Sequence, residues 1–205
     1  MQLVALLRHG EEDGAADGRA GVESRSRRGL SERGRAQAEA ARDYLAPLDA
    51  ARVACSDLPR AIETATIVAD GRPVEVVPGL AGLSLGDWEG RTGAEMEDAL
   101  AEVLSDPRAR PPGGESLADL LQRARPALMG ALPDQGDAIV VAHRMVNAVL
   151  LAELLGLPPE DAALVQQDPG GVTILAREPS GRLAVQMLNI SPLDPLRTRA
   201  VTTRG

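Results

Sequence analysis

Arg8, His9, Arg60 and His143 are the residues of this 205-residue chain whose types and places suit chemistry done together. His9 and His143 are its only two histidines, and each stands at or next to the end of an apolar run, Gln2–Leu7 and Ala138–Ala142. Arg8 directly precedes His9, and Arg60 falls in the first turn of a helical segment that follows another short apolar run. Two guanidiniums and two imidazoles at one place would form a pocket for a dianionic phosphoryl group, because the planar Arg fork matches phosphate oxygens and is cheap to order. Taken singly, each residue has a plainer explanation. A lone histidine is as often a hydrogen-bonded structural residue, and a lone Arg on a helix covers a solvated face. The chemistry depends on whether the fold brings the four together.

The elements that must do so read as alternating strands and helices. Gln2–Leu7 has no turn residue inside it and ends in Arg8-His9-Gly10, as a buried strand opening into a loop would. The segment Glu11–Gly29 is charged, Gly-containing and poor in apolar side chains, which suits a surface loop over a site. Ser31 is a plausible cap for a helix reaching about Leu48. Strands follow at Arg52–Cys55 and Val74–Val77, with a helix at Leu58–Ala69 between them. Leu80–Gly93 reads as a loop carrying Trp88, before helices at Ala94–Leu104 and Leu117–Leu132, the second capped by Ser116. Ala138–Ala142 is the clearest buried strand, leading through His143-Arg144 into a helix at Met145–Leu155. Two late strands, Val172–Ala176 and Leu183–Leu188, precede an irregular tail. The expected fold is α/β, a three-layer sandwich with a mostly parallel central sheet, and residues 1–205 as a single domain. Strand C-termini of such a sheet share one edge, where ligands bind.

Composition narrows the function classes. Hydrophobic residues make up 44% and charged residues 25%, enough for a buried core and unlike a disordered chain. A net charge of −8 argues against a nucleic-acid partner, whose binding depends on many Lys and Arg neutralising phosphates. Cys55 stands alone, so no internal disulfide forms and a reducing, cytoplasmic location is expected. It reads as a small core residue and not as a nucleophile. No apolar run reaches the ~20 residues of a membrane span. No His/Cys/Asp cluster has metal-ligand spacing and no phosphate-binding Gly loop is present, so no metal or other cofactor is expected.

The residues around the four carry a resemblance. Leu7-Arg8-His9-Gly10-Glu11 resembles the RHG signature of the histidine phosphatase (phosphoglycerate mutase-like) superfamily. Ser56-Asp57-Leu58-Pro59-Arg60-Ala61-Ile62-Glu63-Thr64-Ala65 is similar to its second block, and Gly86-Asp87-Trp88-Glu89-Gly90 to its G-x-W-E-G loop. Pro112-Gly113-Gly114-Glu115-Ser116 is similar to its PGGES turn, and Val140-Val141-Ala142-His143 to the block holding its second histidine. An RHG tripeptide alone is a weak signal, whereas five blocks in the family's order are a strong one. The resemblance implies a phosphoglycerate mutase-like fold, His9 as the nucleophile, and Arg8, Arg60 and His143 as the phosphate pocket. The implied activity is a phosphatase, a phosphoric monoester hydrolase, that forms a phosphohistidine on His9 and hydrolyses a small phosphorylated metabolite or other phosphoryl donor. Glu11, Glu12, Ser24, Glu115 and Arg144 are expected to contact that small phosphorylated or anionic substrate. A helix-start carboxylate such as Glu115 is equally explained by the helix dipole, and Trp88 by burial. A homodimer is left open.

The pattern also breaks. The family places an acid in L-x-E-x-x-x-G-x-W-E-G, and Leu80-Ala81-Gly82-Leu83-Ser84-Leu85-Gly86 puts Gly82 there. The family's Asn shortly after RHG is not apparent, and Arg144 follows His143 where Gly is common. A general acid is worth typically ~10²–10⁴-fold, most of all for an alkoxide leaving group. Three explanations stand side by side: a carboxylate such as Glu11, Glu12 or Asp13 substitutes, the substrate has a good leaving group, or the scaffold binds an anion or performs another biosynthetic reaction without hydrolysing esters.

Overall fold

A computed structural model describes residues 1–14, 25–91 and 93–195. In chain order the elements are β1 (Gln2–Arg8), α1 (Glu32–Leu45), β2 (Ala50–Cys55), α2 (Pro59–Ala69), β3 (Val74–Val76), α3 (Gly93–Ser105), α4 (Leu117–Gly130), β4 (Asp137–Ala142), α5 (Arg144–Leu155), β5 (Val172–Arg177) and β6 (Leu183–Ile190). The strands form one six-stranded mixed sheet in the order β3-β2-β4-β1-β5-β6. β3, β2, β4 and β1 run parallel, while β5 is antiparallel to both β1 and β6.

Side chains alternate across a strand, so an uninterrupted apolar strand must be covered on both faces. Ala5, Leu7, Ile139 and Val141 face a core completed by α1 and α2 through Ala41, Leu45, Ala61, Ala65 and Val68. Val4, Leu6, Ala138 and Val140 face the other way, onto Leu120, Ala124, Leu128, Val149 and Leu150 of α4 and α5. Helices thus sandwich the sheet. Each fully buried Leu or Val contributes about 1.5–3 kcal/mol relative to exposure.

Element ends differ from the sequence reading where caps decide them. α1 stops at Leu45 and not near Leu48, because the Ala46 N–H turns to Asp43 O. α2 starts at Pro59, which has no N–H to leave unbonded in a first turn, so Leu58 becomes the cap. α4 ends at Gly130 and α5 begins at Arg144, which leaves His143 as the residue joining β4 to α5. Ser116 caps α4 in a reciprocal box with Asp119. Trp88 is half-buried and packs on the α4/α5 core.

The loop after β1 is anchored to α1 through two glycines. A Cβ on Gly10 would collide with the Gly34 carbonyl, and one on Gly34 with the Glu11 carbonyl. The Ser31 N–H donates to Glu11 O at 2.9 Å, and the Gly10 N–H to Thr64 Oγ1 of α2 at 3.1 Å. His9 is thereby fixed against both helices of one layer. Gly34→Ala is expected to destabilise the protein by about 1–3 kcal/mol in urea unfolding, as overpacking does. Gly130→Ala, where a Cβ meets nothing within 4 Å, is expected to stay within about 1 kcal/mol of the parent.

Candidate active site

Strand register builds the site. Arg8 pairs with Ala142 and Cys55 with Val141, so the next residues of the three parallel strands, His9, His143 and Ser56, meet at one edge. The His9 N–H donates to Ala142 O at 3.0 Å and the Ser56 N–H to Val141 O at 3.1 Å, extending the ladder by one step. The imidazole centroids of His9 and His143 are 5.0 Å apart, tilted by 56°. Both are buried, as is Arg60, which reaches them from the first turn of α2.

The ring nitrogens have definable roles. His9 Nδ1 lies 2.6 Å from Gly10 O, and because a carbonyl only accepts, Nδ1 carries the hydrogen and Nε2 the lone pair. Arg60 Nε donates to that lone pair at 3.1 Å. Arg60 Nη2 stands 3.4 Å from His143 Nδ1. Since a guanidinium only donates, His143 Nδ1 accepts, and its Nε2–H donates to Ser56 Oγ at 2.6 Å. Arg60 Nη1 donates to Ser26 O and Oγ at 3.0 and 3.1 Å. One guanidinium therefore addresses both imidazoles and the loop over them.

Electrostatics follow from burial. Burial first, then the charges of Arg60 and Arg8, hold His9 well below the usual histidine range, with the Gly10 carbonyl opposing. His143 is held low by burial and then by His9, Arg60 and Arg8. Both rings are neutral at neutral pH. Burial, with Arg144 and Arg60 adding to it against Asp168 and Glu12, brings Arg8 down to about 10, still a cation at pH 7. Arg8 Nη1 donates to Gln167 O at 2.6 Å, and its buried Nε has no partner among the described residues. The edge thus combines positive charge, donors and a neutral nitrogen lone pair, which is what binding and attacking a phosphoryl group require.

The expected substrate contacts divide. Glu12 Oε2 accepts from Ser26 Oγ at 2.8 Å and lies 3.5 Å from Arg60 Nη1. Glu11 instead accepts from Ser31 Oγ at 2.9 Å, at the start of α1. Glu115 accepts from Arg123 Nε and Nη2 at 2.7 and 2.8 Å, and from the Ser84 N–H at 2.8 Å. Its burial opposes ionisation, but these bonds outweigh it and hold Glu115 below the usual carboxylate range. Arg144 is exposed beside the site, with Nη2 3.5 Å from Ala163 O, and acts on Arg8 through its charge. Ser24 lies outside the described residues. Ser26, Ser56 and Gln167 were not singled out from sequence, although the position of Ser56 directly after a strand gave a signal. Cys55 is buried and its thiol is pushed up to about 12 by burial and by Asp57, so it holds no thiolate at neutral pH. Among the described residues no group of three or more His, Cys, Asp or Glu could hold a metal ion, and no helix is long and apolar enough to cross a membrane.

Comparison with known proteins gives these features a context. Residues 4–190 match the family model of the histidine phosphatase superfamily (branch 1). Glucosyl-3-phosphoglycerate phosphatase of Mycolicibacterium vanbaalenii is 34% identical over 176 residues, 78% of this chain and 77% of that protein. Adenosylcobalamin/alpha-ribazole phosphatase of Escherichia coli is 32% identical over 164 residues, 76% of this chain and 80% of the other. The solved structure of YhfR from Bacillus stearothermophilus superposes with a TM-score of 0.84 at 28% identity, covering 94% of this chain and all of that one.

Two buried neutral histidines make stability depend on pH. Unfolded histidine titrates near 6.5, so below that pH the unfolded chain binds protons that the folded chain excludes, and stability falls as pH falls. The loss is up to about 1.4 kcal/mol per pH unit for each histidine. His143→Gln is expected to make the slope of unfolding free energy between about pH 5 and 6.5 shallower by up to that amount, measured by urea unfolding. An unchanged slope would mean that folded His143 takes up its proton in the ordinary range.

Proposed function

The chain belongs to the histidine phosphatase superfamily, and from that premise we propose that it is a phosphatase in which His9 Nε2 becomes transiently phosphorylated. The observation that carries this reading is the tautomer of His9. Nδ1–H is committed to Gly10 O at 2.6 Å, which leaves the Nε2 lone pair facing Arg60 at 3.1 Å. A phosphoryl dianion entering there offers oxygens to Arg60 and to Arg8 Nε, which has no partner among the described residues, and its phosphorus to His9 Nε2. The N–P bond forms as the ester O–P bond breaks in line with it. The phosphoimidazole keeps its Nδ1–H on Gly10 O, and water then attacks phosphorus to release inorganic phosphate and restore the ring. With its Nε2–H committed to Ser56 Oγ, His143 uses Nδ1 to hold Arg60 Nη2 in place beside the equatorial oxygens.

The relatives named above are phosphatases of different phosphorylated metabolites, which supports a small phosphorylated metabolite as the substrate class. Gly82 stands where the family pattern calls for the acid. Its carbonyl accepts from Arg123 Nη2 at 2.8 Å and Arg25 Nε at 3.2 Å, but it brings no proton donor of its own. That gap favours one second reading, an anion-binding or repurposed biosynthetic protein on the same scaffold. The lone buried Cys55 suits a reducing, cytoplasmic setting, and we take residues 1–205 as one domain.

Incubation with a ³²P-labelled aryl phosphate is expected to label the wild type with an acid-labile, base-stable phosphoenzyme, and to leave His9→Ala unlabelled and inactive. Arg60→Lys keeps the charge but loses the fork, so kcat is expected to fall by about 10²–10³-fold. Absence of label in the folded wild type would favour the anion-binding reading.

A further inference from the structure

The acids around the pocket differ in what already holds them. Glu11 serves Ser31 at the start of α1, Glu115 is clamped by Arg123, and Glu89 accepts from the Leu85 and Arg25 N–H groups. Asp168 pairs with Asn189 Nδ2 at 3.2 Å, and Asp13 is exposed. Glu12 differs from these. It is three residues from His9 on the same loop, its side chain is only 14% exposed, and Oε2 lies 3.5 Å from the guanidinium that also donates to His9 Nε2. Glu12 and the nucleophilic nitrogen are thus separated by one planar group, Arg60. Ser26 fixes the carboxylate from the other side at 2.8 Å while accepting from Arg60 Nη1.

We propose that Glu12 is the proton donor to the leaving oxygen, and afterwards the acceptor of a proton from the attacking water, in the place that Gly82 leaves without a side chain. The inference rests on the phosphatase reading given above. The cycle starts with the phosphoryl dianion held by Arg60 and a proton on the Glu12 carboxyl group beside it. As His9 Nε2 bonds to phosphorus, the ester P–O bond breaks and its oxygen takes the Glu12 proton, leaving as an alcohol. The carboxylate then removes a proton from water as the new O–P bond forms and the P–N bond breaks. Inorganic phosphate leaves, and Glu12 is again protonated and His9 neutral, so the cycle closes without a further reactant. Ser26 acts as a positioning residue, aiming Oε2.

The test compares Glu12→Gln with wild type on a simple alkyl phosphate and an aryl phosphate, by steady-state kinetics and by rapid-quench measurement of phosphohistidine. The amide retains an oxygen for Ser26 but gives up no proton. For the alkyl ester, kcat/KM is expected to fall by about 10²–10⁴-fold. With the aryl ester, phosphoenzyme formation is expected to slow by less than about tenfold, because its leaving group needs little protonation, and phosphohistidine then accumulates. Ser26→Ala is expected to show the same selectivity with a smaller loss, and decides the matter if the Gln variant does not fold. Equal losses for both esters, or no loss for either, would overturn the role of Glu12 while leaving the phosphatase reading intact. Failure of the wild type to form any phosphohistidine would overturn that reading, and the role of Glu12 with it.

Discussion

The buried guanidinium of Arg60 is the interaction on which the site depends. It is only 3% exposed, and its three nitrogens point to three different parts of the chain: His9 after β1, His143 after β4 and Ser26 in the loop over them. Removing a cation from water is costly unless each donor finds a partner. That requirement couples the loop to the sheet edge and to α2, so none of the three can shift alone. The same charge helps keep His9 neutral and therefore nucleophilic, which links the cost of burying Arg60 to the chemistry beside it.

The positive edge exists in a protein of net charge −8, and it does so by concentrating Arg in one place and excluding water from it. Arg8 stays cationic, whereas both imidazoles, at a lower intrinsic basicity, give up their protons to the same burial. Groups of different proton affinity thus answer one environment differently. The result is a cationic pocket with an uncharged imidazole lone pair inside it.

Much of this was legible in the sequence, for reasons that can be named. Gln2–Leu7 and Ala138–Ala142 are apolar on both faces, so each had to be a central strand, and the residues after them had to fall at its edge. Arg60 was legible because Pro59 starts a helix directly after β2. Helix ends were less so, since α1 and α4 stop where a turn closes on their own carbonyls, and side-chain pattern does not report that. Glu11 and Glu12 could not be told apart from sequence. They are neighbours of one type, and only the bridge between Glu12 and Leu30 sets which side chain faces Arg60 and which faces Ser31. Gln167, some 159 positions from the Arg8 it binds, carries no local signature.

The hydrogen bond from Arg60 Nε to His9 Nε2 has a chemical meaning beyond geometry. An uncovered neutral imidazole is open to any activated acyl, alkyl or carbamoyl compound that drifts into the pocket. Here the lone pair is capped by a charged donor for which anionic oxygens compete strongly. An uncharged electrophile has no such hold on Arg60 and meets a blocked nitrogen. The resting pocket carries its own protecting group, and in the proposed reaction the anion that removes it is the one whose phosphorus His9 attacks.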